Sequence, residues 1–177
     1  LCASRSRIVN GVGPEDAALL FVGEAPGQTE DETGEPFVGR SGDVLDTALR
    51  DQGLARRDVR ITNCVRCRPP ENRDPSTEER ENCRGYLDRE IDAVDPEAIV
   101  ALGKVPAEHL LDRSVSVTAE AGTVHDVRIE GAPRRLVVCV HPAATLYDPS
   151  QRETFASALS VAAELTGGGD QSRLGEF

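Results

Sequence analysis

Four short apolar runs limit how this chain can fold. They are Ala18-Leu19-Leu20-Phe21-Val22, Val59-Arg60-Ile61, Ile99-Val100-Ala101-Leu102 and Leu136 to Val140. Each has strand length and is rich in branched residues. Helix-like stretches separate them. Val44, Leu45, Ala48 and Leu49 form an inward stripe after Ser41, an expected N-cap, and Gly53 stops that helix. Ser76 and Glu79 have capping-box spacing and open a helix running towards Val94. A third helix is expected from Gly103 through His109 to Leu111, and a last one over 150–165. Strands alternating with helices predict a parallel α/β sheet. Residues 115–130 alternate in places around Gly122 and predict a hairpin or edge ribbon. Residues 23–40 and 64–75 read as loops.

In an open parallel sheet, ligands bind along the rim formed by the carboxyl ends of the strands. That rim is chemically marked here. The first strand runs into Gly23-Glu24-Ala25-Pro26-Gly27, and the others are followed by Asn63, Gly103 and His141. A carboxylate, an amide, a close-packed backbone and an imidazole are thus aimed at one pocket, suited to a small planar polar molecule. Lys104 is the only lysine available to help.

The 177 residues suffice for one domain with its own core, expected over 1–165, followed by a tail over 166–177 with three glycines near its start. No apolar run approaches membrane length, so no membrane partner is expected. No secretion signal is legible. The chain starts with Leu and holds no Met, so a further N-terminal stretch is expected upstream. The net charge is −11, from 31 acids against 20 bases. This reads either as an ordinary solvated surface or, the favoured reading, as adaptation to concentrated salt. Such acidity argues against a generic nucleic-acid binder, but charge distribution matters more than the total. Arg56, Arg57, Arg60, Arg66, Arg68 and Arg73 form a local basic stretch. Five cysteines without a secretion signal predict a cytoplasmic chain carrying thiols or metal ligands.

Several residues have two readings. Asn63 could cap a turn, or its amide could pair with an imide edge such as N3–H and O4 of uracil. Cytosine reverses that pattern and would leave buried groups unpaired. His141 could be structural, or could donate a hydrogen bond to a developing oxyanion. Phe37, one of only four Phe, could plug the core or stack on a ring. His109 and His125 read as structural. Cys64 and Cys67 have C-x2-C spacing with Cys83 further on, which partly fits zinc and partly an iron–sulfur cluster. Cys64 and Cys139 also fit buried thiols.

Taken in order, V-G-E-A-P-G, E-D, G-x-P-F-V-G-R-S-G, I-T-N-C-V-R-C-R-P-P-E-N-R and H-P-A-A-T-L resemble the motifs of family 4 uracil-DNA glycosylases across residues 8–165. The resemblance implies a three-layer fold with a central four-stranded parallel sheet flanked by helices, a 4Fe-4S cluster, and removal of uracil from DNA. Carried over by position, Glu24 and His141 are catalytic, His141 facing uracil O2. Phe37 stacks on the flipped base, Asn63 reads its edge, and Glu30 lies beside C5, where it would crowd a thymine methyl. Leu146 lies in the loop that presses into the duplex. Cys67 and Cys83 match two cluster ligands, with Arg66, Arg68 and Arg73 alongside to grip phosphates.

Three departures stand out. The family's other ligand pair has no match, so it is expected upstream of Leu1, with Cys2 a poorer substitute. The cluster is expected to be structural and incomplete within this sequence. Ala143 follows His141-Pro142 where the family often has Ser, and Ala25 sits where some relatives carry a water-activating Asp. The tail residues Gln171, Leu174 and Phe177 are similar to a sliding-clamp-binding motif, or else belong to a frayed end. The expected protein is a monomeric uracil-DNA glycosylase acting on uracil-containing DNA. The alternatives are a catalytically silent DNA- or clamp-binding module and a sister glycosylase of broader base range. A nucleotide-binding protein would need a Gly-rich phosphate loop with Lys, which is missing.

Overall fold

The apolar runs pair side by side. In the computed structural model of the chain, which describes residue 1 and residues 3–167, the strands are β1 (Leu19–Gly23), β2 (Arg60–Asn63), β3 (Ala98–Leu102), β4 (Val124–Ile129) and β5 (Ala132–Cys139). They form one sheet in the order β2-β1-β3-β5-β4. The contacts β2-β1, β1-β3 and β3-β5 are parallel, and β4 runs antiparallel to β5. The predicted four-stranded parallel sheet is present and gains a fifth, antiparallel edge. The helices are α1 (Gln28–Thr33), α2 (Arg40–Asp51), α3 (Thr77–Val94), α4 (Lys104–Leu111), α5 (Val117–Glu120), α6 (Ala144–Tyr147) and α7 (Gln151–Glu164).

Three layers follow from covering both faces of the sheet. Alternate residues of a strand point to opposite faces. Leu19 and Phe21 pack with Leu45 and Leu49 of α2 and with Phe155 and Leu159 of α7. Leu20 and Val22 pack with Leu87 and Ile91 of α3 and with Ala107 and Leu110 of α4. A strand buried on both sides reads as a continuous apolar run, as β3 does. Among the described residues, no helix is long and apolar enough to cross a membrane.

Local signals set some helix ends and not others. Ser76 accepts from the Glu79 N–H and the Glu79 carboxylate accepts from the Ser76 N–H, so the predicted capping box opens α3. Helix α2 starts one residue before the expected Ser41, with Gly39 at its N-cap. The loop over 23–40 contains α1, which has no apolar stripe to betray it and whose one buried residue is Asp31. That carboxylate accepts from the backbone N–H groups of Ser6 and Arg7 and ties the N-terminal segment down. Within 115–130, Val117 starts a short helix, and the antiparallel pairing begins at Val124. Strand β1 has β2 on one side and β3 on the other, so the chain changes direction across the sheet at β1. The crevice beyond such a switch point is where a ligand fits.

Candidate active site

Gly23 ends β1 directly opposite Asn63, the last residue of β2. The Asn63 amide and the Phe37 ring both close over it. A Cβ on residue 23 would lie 2.4 Å from Asn63 Oδ1 and 2.5 Å from Phe37 Cε2, so only glycine leaves them room. The His141 ring lies 5.8 Å from the Phe37 ring, tilted by 30°. Asn63 is 3% exposed, and its Oδ1 is buried without a hydrogen-bond partner. An unpaired buried acceptor costs about 1–3 kcal/mol, so this site asks for a ligand that supplies a donor. An aromatic face, an amide and an imidazole therefore meet at the predicted rim.

Phe37 holds an unusual backbone. Its φ of 54° is left-handed, a costly region for an aromatic residue. The Arg56 guanidinium donates to the carbonyls of both Pro36 and Phe37 and is itself paired with Asp46 of α2 at 2.9 Å. Gly42 lets the Phe37 carbonyl approach α2, because a Cβ there would fall 1.8 Å from that oxygen.

His141 follows β5. The Ala143 N–H donates to its Nδ1 at 3.1 Å, and the Ala144 N–H donates to its carbonyl at 2.9 Å. With Nδ1 accepting, the neutral ring carries its proton on Nε2. Burial pushes the imidazole pKa down to about 4, so near neutral pH the ring is an uncharged donor. Gly103, at the end of β3 with φ 108°, packs against His141, a Cβ there reaching 3.3 Å from the His141 Cβ.

Glu24 meets a different neighbour. Its carboxyl is pushed up to about 7, first by burial and then by the nearby charge and hydrogen bond of Asp74, with Arg80 opposing. The two carboxyls join the loop after β1 to the loop before α3. Glu30 on α1 sits against the glycines that flank it: a Cβ on Gly27 would come 2.9 Å from its Oε2, and one on Gly39 3.8 Å from its Oε1.

The predicted phosphate arginines already have acceptors. Arg66 donates to Asn10, the Tyr86 carbonyl and Glu90. Arg68 donates to Asn72. Arg73 forms a two-pronged pair with Glu79 at 2.7 and 2.8 Å. By contrast, Arg40 and Arg152 are exposed and have no ion-pair or hydrogen-bonded side-chain partner among the described residues. Both line a cavity of about 430 Å³ that also takes the half-buried Leu146, with Asp43 and Asp51 on its wall. The next residue, Tyr147, is 81% exposed.

Cys67 and Cys83 line one cavity of about 540 Å³ together with Leu1 and Arg5. Arg5 Nη1 lies 2.9 Å from Cys67 Sγ. Cys64 is packed in the core behind β1, where burial pushes its thiol up to about 12, away from the cavity that Cys67 and Cys83 line. Cys139 is buried in β5. Among the described residues, no three His, Cys, Asp or Glu side chains are grouped to hold a metal. Two thiols on one cavity beside the N-terminal segment do fit half of a four-thiolate cluster site. Cys2, Gln171, Leu174 and Phe177 lie outside the described residues.

Sequence reading passed over Arg56 as a positioned group, Asp46 and Asp74. Arg56 and Asp46 are ten positions apart across a helix end, and Glu24 and Asp74 are fifty apart, so no local spacing signals either pair.

The sequence profile of the Uracil DNA glycosylase superfamily matches residues 10–163. Similar curated proteins include the type-4 uracil-DNA glycosylase of Archaeoglobus fulgidus, 42% identical over 93% of this chain and 84% of the relative. The type-4 uracil-DNA glycosylase of Pyrobaculum aerophilum is 41% identical over 89% of this chain and 82% of the relative. The type-5 uracil-DNA glycosylase of the same organism is 33% identical over 88% of this chain and 75% of the relative.

Proposed function

The chain belongs to the uracil DNA glycosylase superfamily, and from that premise we propose that it hydrolyses the bond between uracil and deoxyribose in DNA, as its type-4 relatives are named for doing. The observation that carries the reading is the unpartnered Asn63 Oδ1, buried beside the Phe37 ring and the His141 imidazole. Uracil offers a flat ring for Phe37, an N3–H donor for Asn63 Oδ1 and an O2 acceptor for His141.

The reaction follows from those contacts. The enzyme extrudes the deoxyuridine, at a cost of roughly a few kcal/mol in unstacking and unpairing. Phe37 stacks on the base, and the Asn63 amide pairs with N3–H and O4. Glu30 stands beside C5 and leaves no space for a methyl. As the C1′–N1 bond breaks, negative charge collects on uracil and positive charge on the sugar. His141 Nε2–H donates to O2 and stabilises the leaving anion while staying neutral itself. The carboxyl pair of Glu24 and Asp74 faces the positive sugar and receives the water. Water adds to C1′ as hydroxide, its proton ends on the departing base, and free uracil and an abasic sugar result.

For phosphates, Arg40 and Arg152 are the readier donors. Arg66, Arg68 and Arg73 already share some of their donors with Glu90, Asn72 and Glu79. Cys67 and Cys83 would hold two corners of a 4Fe-4S cluster, with the remaining ligands supplied by the N-terminal side. When bound, the cluster supplies a structural tie between that segment, the β2–α3 loop and α3. We further propose that the enzyme is a cytoplasmic monomer, that its acidic surface suits concentrated salt, and that Gln171, Leu174 and Phe177 engage a sliding clamp.

The test is release of free base from matched oligonucleotides carrying uracil or cytosine, at low and high salt. Uracil is released and cytosine is not. A silent binding module of the same fold frees no base, and that result ends the proposal.

A further inference from the structure

The basic stretch beginning at Arg56 invites a phosphate-binding role for that residue, but its side chain is spent inside the protein. The guanidinium grips two successive carbonyls, those of Pro36 and Phe37, and its Nε donates to Asp46. The backbone it grips is the strained one, with φ 54° at Phe37. The surroundings are shaped for that grip. Gly42 makes space for the same Phe37 carbonyl, and Asp46 lies one helical turn beyond Gly42 on α2. The Phe37 ring thus hangs from a peptide whose two sides are fixed by a single cation.

We propose that Arg56, anchored by Asp46, is a positioning residue that sets the Phe37 ring at the angle from which it stacks on the base. This rests on the uracil-excision reading, and the test keeps the two apart. Left-handed backbone at an aromatic residue persists only when its surroundings over-determine it. Released from Arg56, the Phe37 peptide relaxes towards an extended or right-handed conformation, and the ring swings off Gly23. Lysine is a poor replacement. A flat fork can meet two carbonyls and a carboxylate at once, whereas an ammonium is a compact, strongly hydrated point charge.

The decisive measurement is inhibition by free uracil, which probes the base pocket without the DNA backbone. In Arg56→Lys the inhibition constant rises on the order of tenfold, the scale of one lost base–aromatic stack. Affinity for uracil-free duplex changes much less. In a Phe37→Leu background the same Arg56→Lys change adds little, because the ring it orients is already gone. Asp46→Asn leaves the guanidinium in place and gives a smaller rise, and it carries the test if Arg56→Lys fails to fold. An unchanged uracil inhibition constant in either folded variant overturns the proposal. So does full additivity of Arg56→Lys with Phe37→Leu, and so does a loss of uracil-free duplex affinity larger than the loss for free uracil, which would mark a phosphate contact. Failure of the wild-type protein to release uracil would instead strike the parent reading.

Discussion

The backbone N–H of Ala143 donates to Nδ1 of His141 at 3.1 Å, and this one bond decides which nitrogen of the neutral ring carries the proton. The proton sits on Nε2, and burial keeps the ring neutral down to about pH 4. A neutral donor strengthens its bond as charge develops on uracil, without first holding a cation in an apolar pocket.

His141→Ala therefore lowers the single-turnover rate of uracil release about a hundredfold or more, the scale of about 2.7–4 kcal/mol for a lost oxyanion donor. His141→Gln, which keeps a side-chain N–H, recovers part of it. An unchanged rate in the alanine variant removes His141 from the chemistry.

In the proposed reaction Asn63 discriminates between bases by what its amide can pair with. Asn63→Asp replaces the N–H₂ donor with a second acceptor and favours the N4–H₂ of cytosine. The expected result is measurable cytosine release with reduced uracil release. A folded Asn63→Asp protein with no cytosine activity contradicts edge reading by this amide.

Gly23→Ala tests the convergence itself. The added methyl collides with Asn63 Oδ1 and the Phe37 ring edge. Overpacking of this kind typically costs about 1–3 kcal/mol. The melting temperature falls accordingly, and kcat/KM falls further, because both displaced groups belong to the pocket. If kcat/KM drops no more than stability explains, the two side chains do not share a substrate site.

The sequence revealed the rim better than its supports. Four strand ends were legible because each apolar run stops at an unusual residue, and pairing in register brings Gly23 to Asn63. Ser76 with Glu79 opened α3 because capping is a local event. Helix α1 stayed hidden because it buries a carboxylate rather than an apolar stripe. The antiparallel edge was visible only as a ribbon, since alternation in β4 fixes a face but not a partner. Arg66, Arg68 and Arg73 read as phosphate-gripping arginines beside the cluster loop, while their acceptors Glu90, Asn72 and Glu79, at 24, 4 and 6 positions away, carry no signal in the sequence. Arg56 was hardest to read, since its role depends on the backbone angle of Phe37.

The loop after His141 offers two candidates for entering the duplex. Leu146 is half-buried on the wall of a cavity it shares with residues of α2 and α7, whereas Tyr147 is almost fully exposed at the end of α6. Tyr147→Ala should lower the ratio of double-strand to single-strand rates about tenfold, in line with about 1–3 kcal/mol per base–aromatic stack. Leu146→Ala should mainly lower thermal stability, by roughly 1 kcal/mol. Fluorescence of 2-aminopurine next to the uracil reports extrusion directly. If Leu146→Ala abolishes extrusion and Tyr147→Ala does not, the assignment is reversed.

Glu24 and Asp74 give the enzyme a pH signature. The Glu24 carboxyl moves from an ordinary 4.5 to about 7 on folding, through burial first and Asp74 second. Between those values the folded chain holds a proton that the unfolded chain has lost. The stability from this group is complete below pH 4.5 and disappears as pH rises through about 7. Glu24→Gln therefore melts higher than the wild type at pH 8, and the difference closes at pH 4.5. In the proposed mechanism activity runs the other way, since the carboxylate is the form that would face the positive sugar. The single-turnover rate rises with pH through a limb near 7, and Asp74→Asn, which removes the second cause of the raised pKa, shifts that limb to lower pH. A limb that stays put in Asp74→Asn would show that Glu24 owes its protonation to burial and that Asp74 plays no part in tuning it.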